Sequence, residues 1–308
     1  MADKTVRGRF VWHELMTSDP KAAAAFYKEV VGWVPQPYEK DPSYTVFTNG
    51  GRPRAGSMLL PEQAKAMGAA PHWLTHIGTP DVDVTARQTI ELGGKVLKPA
   101  ADIHDVGRFA VLQDPQGAVF AVFTPKPGPA GDTKPGLGDF SWHELVTTDW
   151  KSAWNFYQKL FGWEKTESME MGPGNTYQMF GWKGNTLGGM FNKPAEMPFP
   201  PHWLPYTLVP DSKKVAEIAP RFGGKVLNGP MEVPGGDWIT QAMDPQGVLF
   251  AVHSKKAAAA AAPAAKRRTA PPRKSKPAKR KSVAAKKSKP AKKKTARPKP
   301  RKASKRRR

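Results

Sequence analysis

Trp12-His13-Glu14-Leu15 recurs as Trp142-His143-Glu144-Leu145, an interval of 130 residues that five further blocks share. Phe26-Tyr27 returns as Phe156-Tyr157, Gly32-Trp33 as Gly162-Trp163, and Pro71-His72-Trp73-Leu74 as Pro201-His202-Trp203-Leu204. Gly93-Gly94-Lys95-Val96-Leu97 returns as Gly223-Gly224-Lys225-Val226-Leu227, and Asp114-Pro115-Gln116-Gly117 as Asp244-Pro245-Gln246-Gly247. One register held through six blocks makes this an internal duplication. Two homologous modules, residues 7–125 and 137–254, flank a Pro/Gly-rich linker at 126–136, and a distinct segment, 255–308, follows.

Each module has its own rhythm. A strand over 8–17 runs into Ser18-Asp19-Pro20, where Asp19 or Ser18 caps a helix and Pro20 fits its first turn. Alanines 22–25, Phe26 and Val30 make that helix amphipathic, and Gly32 stops it. Extended segments follow at 44–48 and 55–60. The pattern restarts with a strand at 72–78, a helix from Asp81 or Asp83 to Leu92, and strands at 95–98, 108–113 and 118–123. Asp114-Pro115-Gln116-Gly117 is the hairpin turn before the last strand. A module is thus two strand–helix–strand–strand–strand units. The fold class is α+β, with antiparallel sheets backed by helices on one face.

The charge is divided sharply. From Ser254 to Arg308 there are 25 Lys and Arg and no Asp or Glu, so the preceding part holds 24 basic against 26 acidic residues. Such a segment has no material for a core, is expected to be disordered when free, and suits a polyanion, nucleic acid first. Its contacts would come from Lys266, Arg267, Arg268, Lys274, Lys276, Lys279, Arg280, Lys287, Lys289 and Lys292. With no aromatic residue to stack on bases, little sequence preference is expected. The string Lys274-Ser275-Lys276-Pro277-Ala278-Lys279 recurs from Lys287 to Lys292 and resembles linker-histone tails. The absence of cysteine excludes disulfides, thiolate metal sites and a Cys nucleophile. No apolar run approaches membrane-spanning length and no secretory leader is visible, so the expected address is the cytoplasm, which in a bacterium includes the nucleoid. Oligomeric state is left open.

The strand ending at Asp19, the helix with Phe26-Tyr27, Gly32-Trp33, the Gly93-Gly94 helix end and the Asp114-Pro115-Gln116-Gly117 turn together resemble the vicinal oxygen chelate superfamily. That group contains glyoxalase I, extradiol dioxygenases and bleomycin-resistance proteins. The resemblance covers both modules, and the Trp-His-Glu-Leu opening is similar to that of a glyoxalase-like branch of tandem proteins. It implies paired units forming a curved sheet around a cleft, where the family's enzymes hold a divalent metal with His and Glu ligands. In metal-binding members a Glu follows the Asp-Pro-x-Gly turn by four residues; Ala121 and Ala251 stand there. The first-strand His position holds Trp12 and Trp142, and the second-unit position falls near Leu74 and Leu204. None of these side chains ligates a divalent ion. No cofactor is therefore expected, although a shifted metal site stays open.

Within that frame Trp12 and Glu14 point into the cleft, because strand side chains alternate. Glu14 and Glu144, each beside an indole, are the candidate catalytic bases; a purely structural carboxylate is the alternative. Candidate ligand-binding residues are Trp12, Trp142, His72, His202, Trp73, Trp203, His76 and Tyr206. His72 and His76 share a face, which would let them meet a metal. His13 and His143 face the helices as core residues. Three functions are consistent with this pattern. The first is a tandem module that binds a small aromatic molecule without reacting, with a nucleic-acid-binding tail. The second is a lyase or dioxygenase with a shifted or absent metal. The third is a nucleoid-associated protein that uses the modules as scaffold.

Overall fold

A computed structural model describes residues 6–126 and 134–256; the ten basic residues assigned to nucleic acid lie outside the described residues. The first module runs β1 (Phe10–Thr17), α1 (Pro20–Val31), β2 (Val34–Tyr38), β3 (Asp41–Asn49), β4 (Arg52–Leu59), a short α2 (Glu62–Ala66), β5 (His72–Gly78), α3 (Val82–Glu91), β6 (Lys95–Ile103), β7 (Gly107–Gln113) and β8 (Val119–Pro125). The second runs β9 (Phe140–Thr147), α4 (Trp150–Phe161), β10 (Glu164–Glu170), β11 (Thr176–Trp182), β12 (Asn185–Asn192), β13 (His202–Leu208), α5 (Ser212–Ile218), β14 (Lys225–Glu232), β15 (Trp238–Met243) and β16 (Leu249–Ser254).

Local chemistry sets the helix limits. Asp19 accepts from the amides of Lys21 and Ala22, and Gly32 closes α1 at φ 84°, a left-handed conformation that glycine adopts without a Cβ penalty. Asp149 and Gly162 do the same for α4. Pro35 and Pro37 lie in β2, which is an edge strand, where missing amide donors cost no ladder bonds.

Each module is one eight-stranded sheet, in the orders β2-β3-β4-β1-β5-β8-β7-β6 and β10-β11-β12-β9-β13-β16-β15-β14. The α+β class and tandem architecture hold, but the sheets are mixed rather than purely antiparallel. β1 is parallel to β4 and β5 to β8, with the same pairs repeated in the second module. The helical crossover after β1 returns the chain in the same direction, and the hairpins that follow keep β4 in that direction. Among the described residues no helix is long and apolar enough to cross a membrane.

The modules interlock through two large cores that both share. One core joins Leu15, Phe26, Tyr27, Trp33, Phe47 and Trp73 of the first module to Val215, Ala242, Phe250 and Val252 of the second. The reciprocal core joins Leu112, Phe120 and Val122 to Leu145, Phe156, Tyr157, Trp163, Phe180 and Trp203. Tyr27 Oη donates to Asp244 Oδ2 at 3.2 Å and Tyr157 Oη to Asp114 Oδ2 at 2.9 Å. The Asp-Pro-Gln-Gly turns therefore do two jobs. Asp114 Oδ1 holds its own turn through the amides of Gln116 and Ala118, while Oδ2 docks the other module. At the centre, His13 Nε2 lies 2.9 Å from His143 Nε2. Phe10 stacks on His143 at 3.5 Å and Phe140 on His13 at 3.8 Å.

Candidate functional site

Alternation along β1 sends His13 and Leu15 into the shared cores and leaves Trp12, Glu14 and Met16 on the opposite face, the one that the family resemblance makes the cleft face. On β5, which pairs with β1, Trp12 stands opposite His76, Glu14 opposite Leu74 and Met16 opposite His72. Ala121 on β8 stands opposite His76. Met16, Leu60, Leu74 and Ala121 form an apolar floor with Met58, Ala64, Val111 and Val119 around it. Ala64 comes from α2, a helix that the second module lacks.

Above that floor lies a short polar relay. Trp12 Nε1 donates to Tyr44 Oη at 3.0 Å, and Tyr44 Oη donates to Glu14 Oε1 at 2.9 Å. Burial and the Glu14 charge both hold the Tyr44 hydroxyl protonated. The relay needs a glycine. Glu14 pairs with Gly56, and any Cβ there would overlap the Tyr44 hydroxyl where it crosses β4. The second module repeats the device: Trp142 Nε1 donates to Tyr177 Oη at 2.8 Å, Tyr177 Oη to Glu144 Oε2 at 3.1 Å, and Gly189 makes room for the ring.

From there the two clefts diverge. In the second module Tyr206 Oη also donates to Glu144 Oε1 at 3.0 Å, and Gln241 Nε2 reaches both Tyr206 Oη and that carboxylate oxygen. Both oxygens of Glu144 are used, and the residue is 8% exposed. Burial pushes its carboxyl up to about 7, against the two tyrosine hydrogen bonds, which pull it down. In the first module His76 and Val111 stand where Tyr206 and Gln241 stand in the second. Glu14 is half-buried and uses Oε1 alone among the described hydrogen bonds. His76 is 5% exposed, and its buried Nδ1 has no partner; the contact of the ring with the Leu74 backbone falls short of a hydrogen bond. Burial lowers its pKa, partly offset by Glu14, so the ring is neutral at pH 7.

The sequence-predicted residues therefore separate. Trp12, Glu14, His72 and His76 share one cleft face, and Trp142, Glu144, His202 and Tyr206 the other. Trp73 and Trp203 do not line a cleft, which corrects the expectation for them. Each follows a cleft-facing His by one residue and so points to the other face, into a shared core, where its indole donates to Tyr27 or Tyr157. His72 and His76 cannot share a metal ion either. Four strand residues separate their backbones by about 13 Å, and His72 Nδ1 is 2.7 Å from the Ala70 carbonyl. His202 makes the same local contact with Pro200. Tyr44, Tyr177 and Gln241 escaped the sequence reading. A signal for the tyrosines existed in Tyr44-x-x-Phe47 and Tyr177-x-x-Phe180, but at an interval of 133, outside the common register.

Residues 12–123 match the family model for a glyoxalase-like domain. The "Putative glyoxylase CFP32" of Mycobacterium tuberculosis is 32% identical over 248 residues, covering 78% of this chain and 92% of that protein. The anthracycline biosynthesis protein DauV of Streptomyces sp. (strain C5) is 27% identical, covering 80% and 92%. Among solved structures, 2,2',3-trihydroxybiphenyl 1,2-dioxygenase from Sphingomonas wittichii RW1 superposes with a TM-score of 0.60 at 13% identity, over 80% of this chain and 90% of that one. The Mn(II)-bound glyoxalase from Novosphingobium aromaticivorans gives 0.53 at 16% identity, over 81% and 82%. These two similarities concern the fold. A divalent ion does not fit the residues present here. Trp12, Leu74 and Ala121 stand where the family resemblance places ligands in the first module, with Trp142, Leu204 and Ala251 in the second. Among the described residues no group of three His, Asp or Glu side chains is placed to hold a metal ion. The duplicated sheets, the matching domain and the full-length relative agree: this chain belongs to the glyoxalase-like family of the vicinal oxygen chelate superfamily.

Proposed function

We propose that the protein binds a small aromatic molecule on a cleft face without a resident metal, and that its basic tail holds nucleic acid nonspecifically. One observation carries the first part. A carboxylate aligned by a tyrosine and a tryptophan stands over an apolar floor, at a place where the ligand positions of the fold hold Trp, Leu and Ala. Such a lining, apolar with few placed polar groups, is how small-molecule sites are built. The relative named for anthracycline biosynthesis supports an aromatic ligand. Elemental analysis of the full-length protein after dialysis against trace divalent ions tests the claim. Less than a tenth of an equivalent is expected; about one tightly held ion per module overturns it.

The tail reading rests on 25 cationic residues with no acidic ones between Ser254 and Arg308. Each phosphate neutralised contributes about −0.9 to the log–log salt slope on duplex DNA. Removing residues 257–308 should abolish DNA binding and leave the thermal transition of the body in place. Undiminished affinity of the truncated chain across a salt titration overturns the assignment.

A further inference from the structure

We infer that the first module alone takes the ligand, and that the ligand is a phenol or other hydroxyl-bearing aromatic whose O–H sits between Glu14 and His76. The inference rests on the small-molecule reading above and adds the module, the contacts and the chemical class.

The second module supplies the argument. Its carboxylate, Glu144, already receives a phenol, the side chain of Tyr206, whose hydroxyl donates to Oε1 and is held by Gln241. Tyr206 is 2% exposed, so the phenol is buried on that face of its own module. In the first module the frame is the same, with Trp12, Tyr44, Gly56 and Glu14 in matching roles, but the internal phenol is missing. His76 replaces Tyr206, a smaller ring that donates nothing to Glu14, and Val111 replaces Gln241. Two polar groups are left over: the second oxygen of Glu14, and the buried His76 ring with Nδ1 unpartnered. They lie at diagonal positions on adjacent strands, about 7–8 Å apart at the backbone, a span that one bound group can bridge. A hydroxyl suits both, because it donates to the carboxylate and can accept from, or share with, a neutral imidazole, whereas an ammonium can only donate. The aromatic body would lie against the Met16–Leu74 floor.

Equilibrium dialysis of the full chain with 4-methylphenol and with 4-methylanisole, its methyl ether, tests this. The ring is shared and only the O–H donor differs. The phenol should bind once per chain and the ether about tenfold more weakly, the loss of one hydrogen bond to a charged acceptor. Glu14→Gln should weaken the phenol by a similar factor, and Glu144→Gln should leave it unchanged. His76→Tyr, which installs the ring of the second module, should abolish binding. Equal affinity for the ether, two sites per chain, or full affinity in His76→Tyr or Glu14→Gln overturns the inference while leaving a cleft ligand in place. Failure of both probes to bind at millimolar concentration overturns the inference and the aromatic-ligand reading together.

Discussion

The His13–His143 pair makes the docking of the two modules acid-labile. His143 Nδ1 lies 3.2 Å from the Leu187 carbonyl and must donate to it. In a neutral ring Nε2 is then an acceptor, so the proton in the 2.9 Å contact belongs to His13. A second proton has no acceptor to face. Burial holds the His143 pKa down to about 3, and burial, His143 and His76 together hold His13 well below its ordinary 6.5. The sign follows from proton counting. Above pH 6.5 neither state binds the proton; between 6.5 and 3 the unfolded chain binds it and the folded chain does not. Stability is therefore full above pH 6.5 and falls as pH drops towards 3, by about 5 kcal/mol in total for a depression of this size. By pH 5.0 the loss from His143 alone reaches about 2 kcal/mol. Urea unfolding of the full chain and of His143→Phe, at pH 7.5 and pH 5.0, isolates this contribution from the other histidines. The substitution leaves the Leu187 carbonyl and the His13 donor unpaired, so at pH 7.5 it should cost roughly 2–4 kcal/mol. It also removes the titration, so the gap between the two proteins should shrink by about 2 kcal/mol at pH 5.0. A gap of the same size at both pH values refutes the neutral pair.

Glu144 has the opposite sign. Its carboxyl is raised from 4.5 to about 7, so the folded state keeps a proton that the unfolded chain has lost, and stability falls as pH rises through that window. Glu144→Gln should therefore stabilise the protein by up to about 3 kcal/mol at pH 8, with the gain vanishing near pH 4.5 in the same urea assay. Gly56→Ala should cost roughly 1–3 kcal/mol by displacing the Tyr44 ring, and much less in a Tyr44→Ala background, where neither the hydroxyl nor the ring carbons are overlapped; a double-mutant cycle reads the difference. Tyr157→Phe strips a buried donor from Asp114 and should cost about 1–3 kcal/mol in urea unfolding, since that carboxylate docks one module onto the other.

How far the sequence could be read depended on what each signal encodes. The 130-residue interval exposed the duplication, and caps such as Asp19 and Gly32 exposed the helices, because both are written in adjacent residues. Alternation along β1 put His13 and Glu14 on opposite faces. It could not say that the surface met by His13 would be His143, since a strand pattern states which face is covered and not by what. Applied consistently, the same alternation would have excluded Trp73, because neighbours on a strand cannot share a face and His72 had already been given the cleft. Tyr44 escaped for a different reason. The second module carries three additional residues before β11, so the two relay tyrosines are 133 apart, and a search at one fixed interval passes over them. The exchange of His76 for Tyr206 is visible as a break in the repeat, but residue types alone give it no meaning. Only the geometry at Glu144, where the Tyr206 hydroxyl completes the carboxylate, gives that break the meaning proposed above: the second module uses both oxygens of its carboxylate, and the first uses one among the described hydrogen bonds.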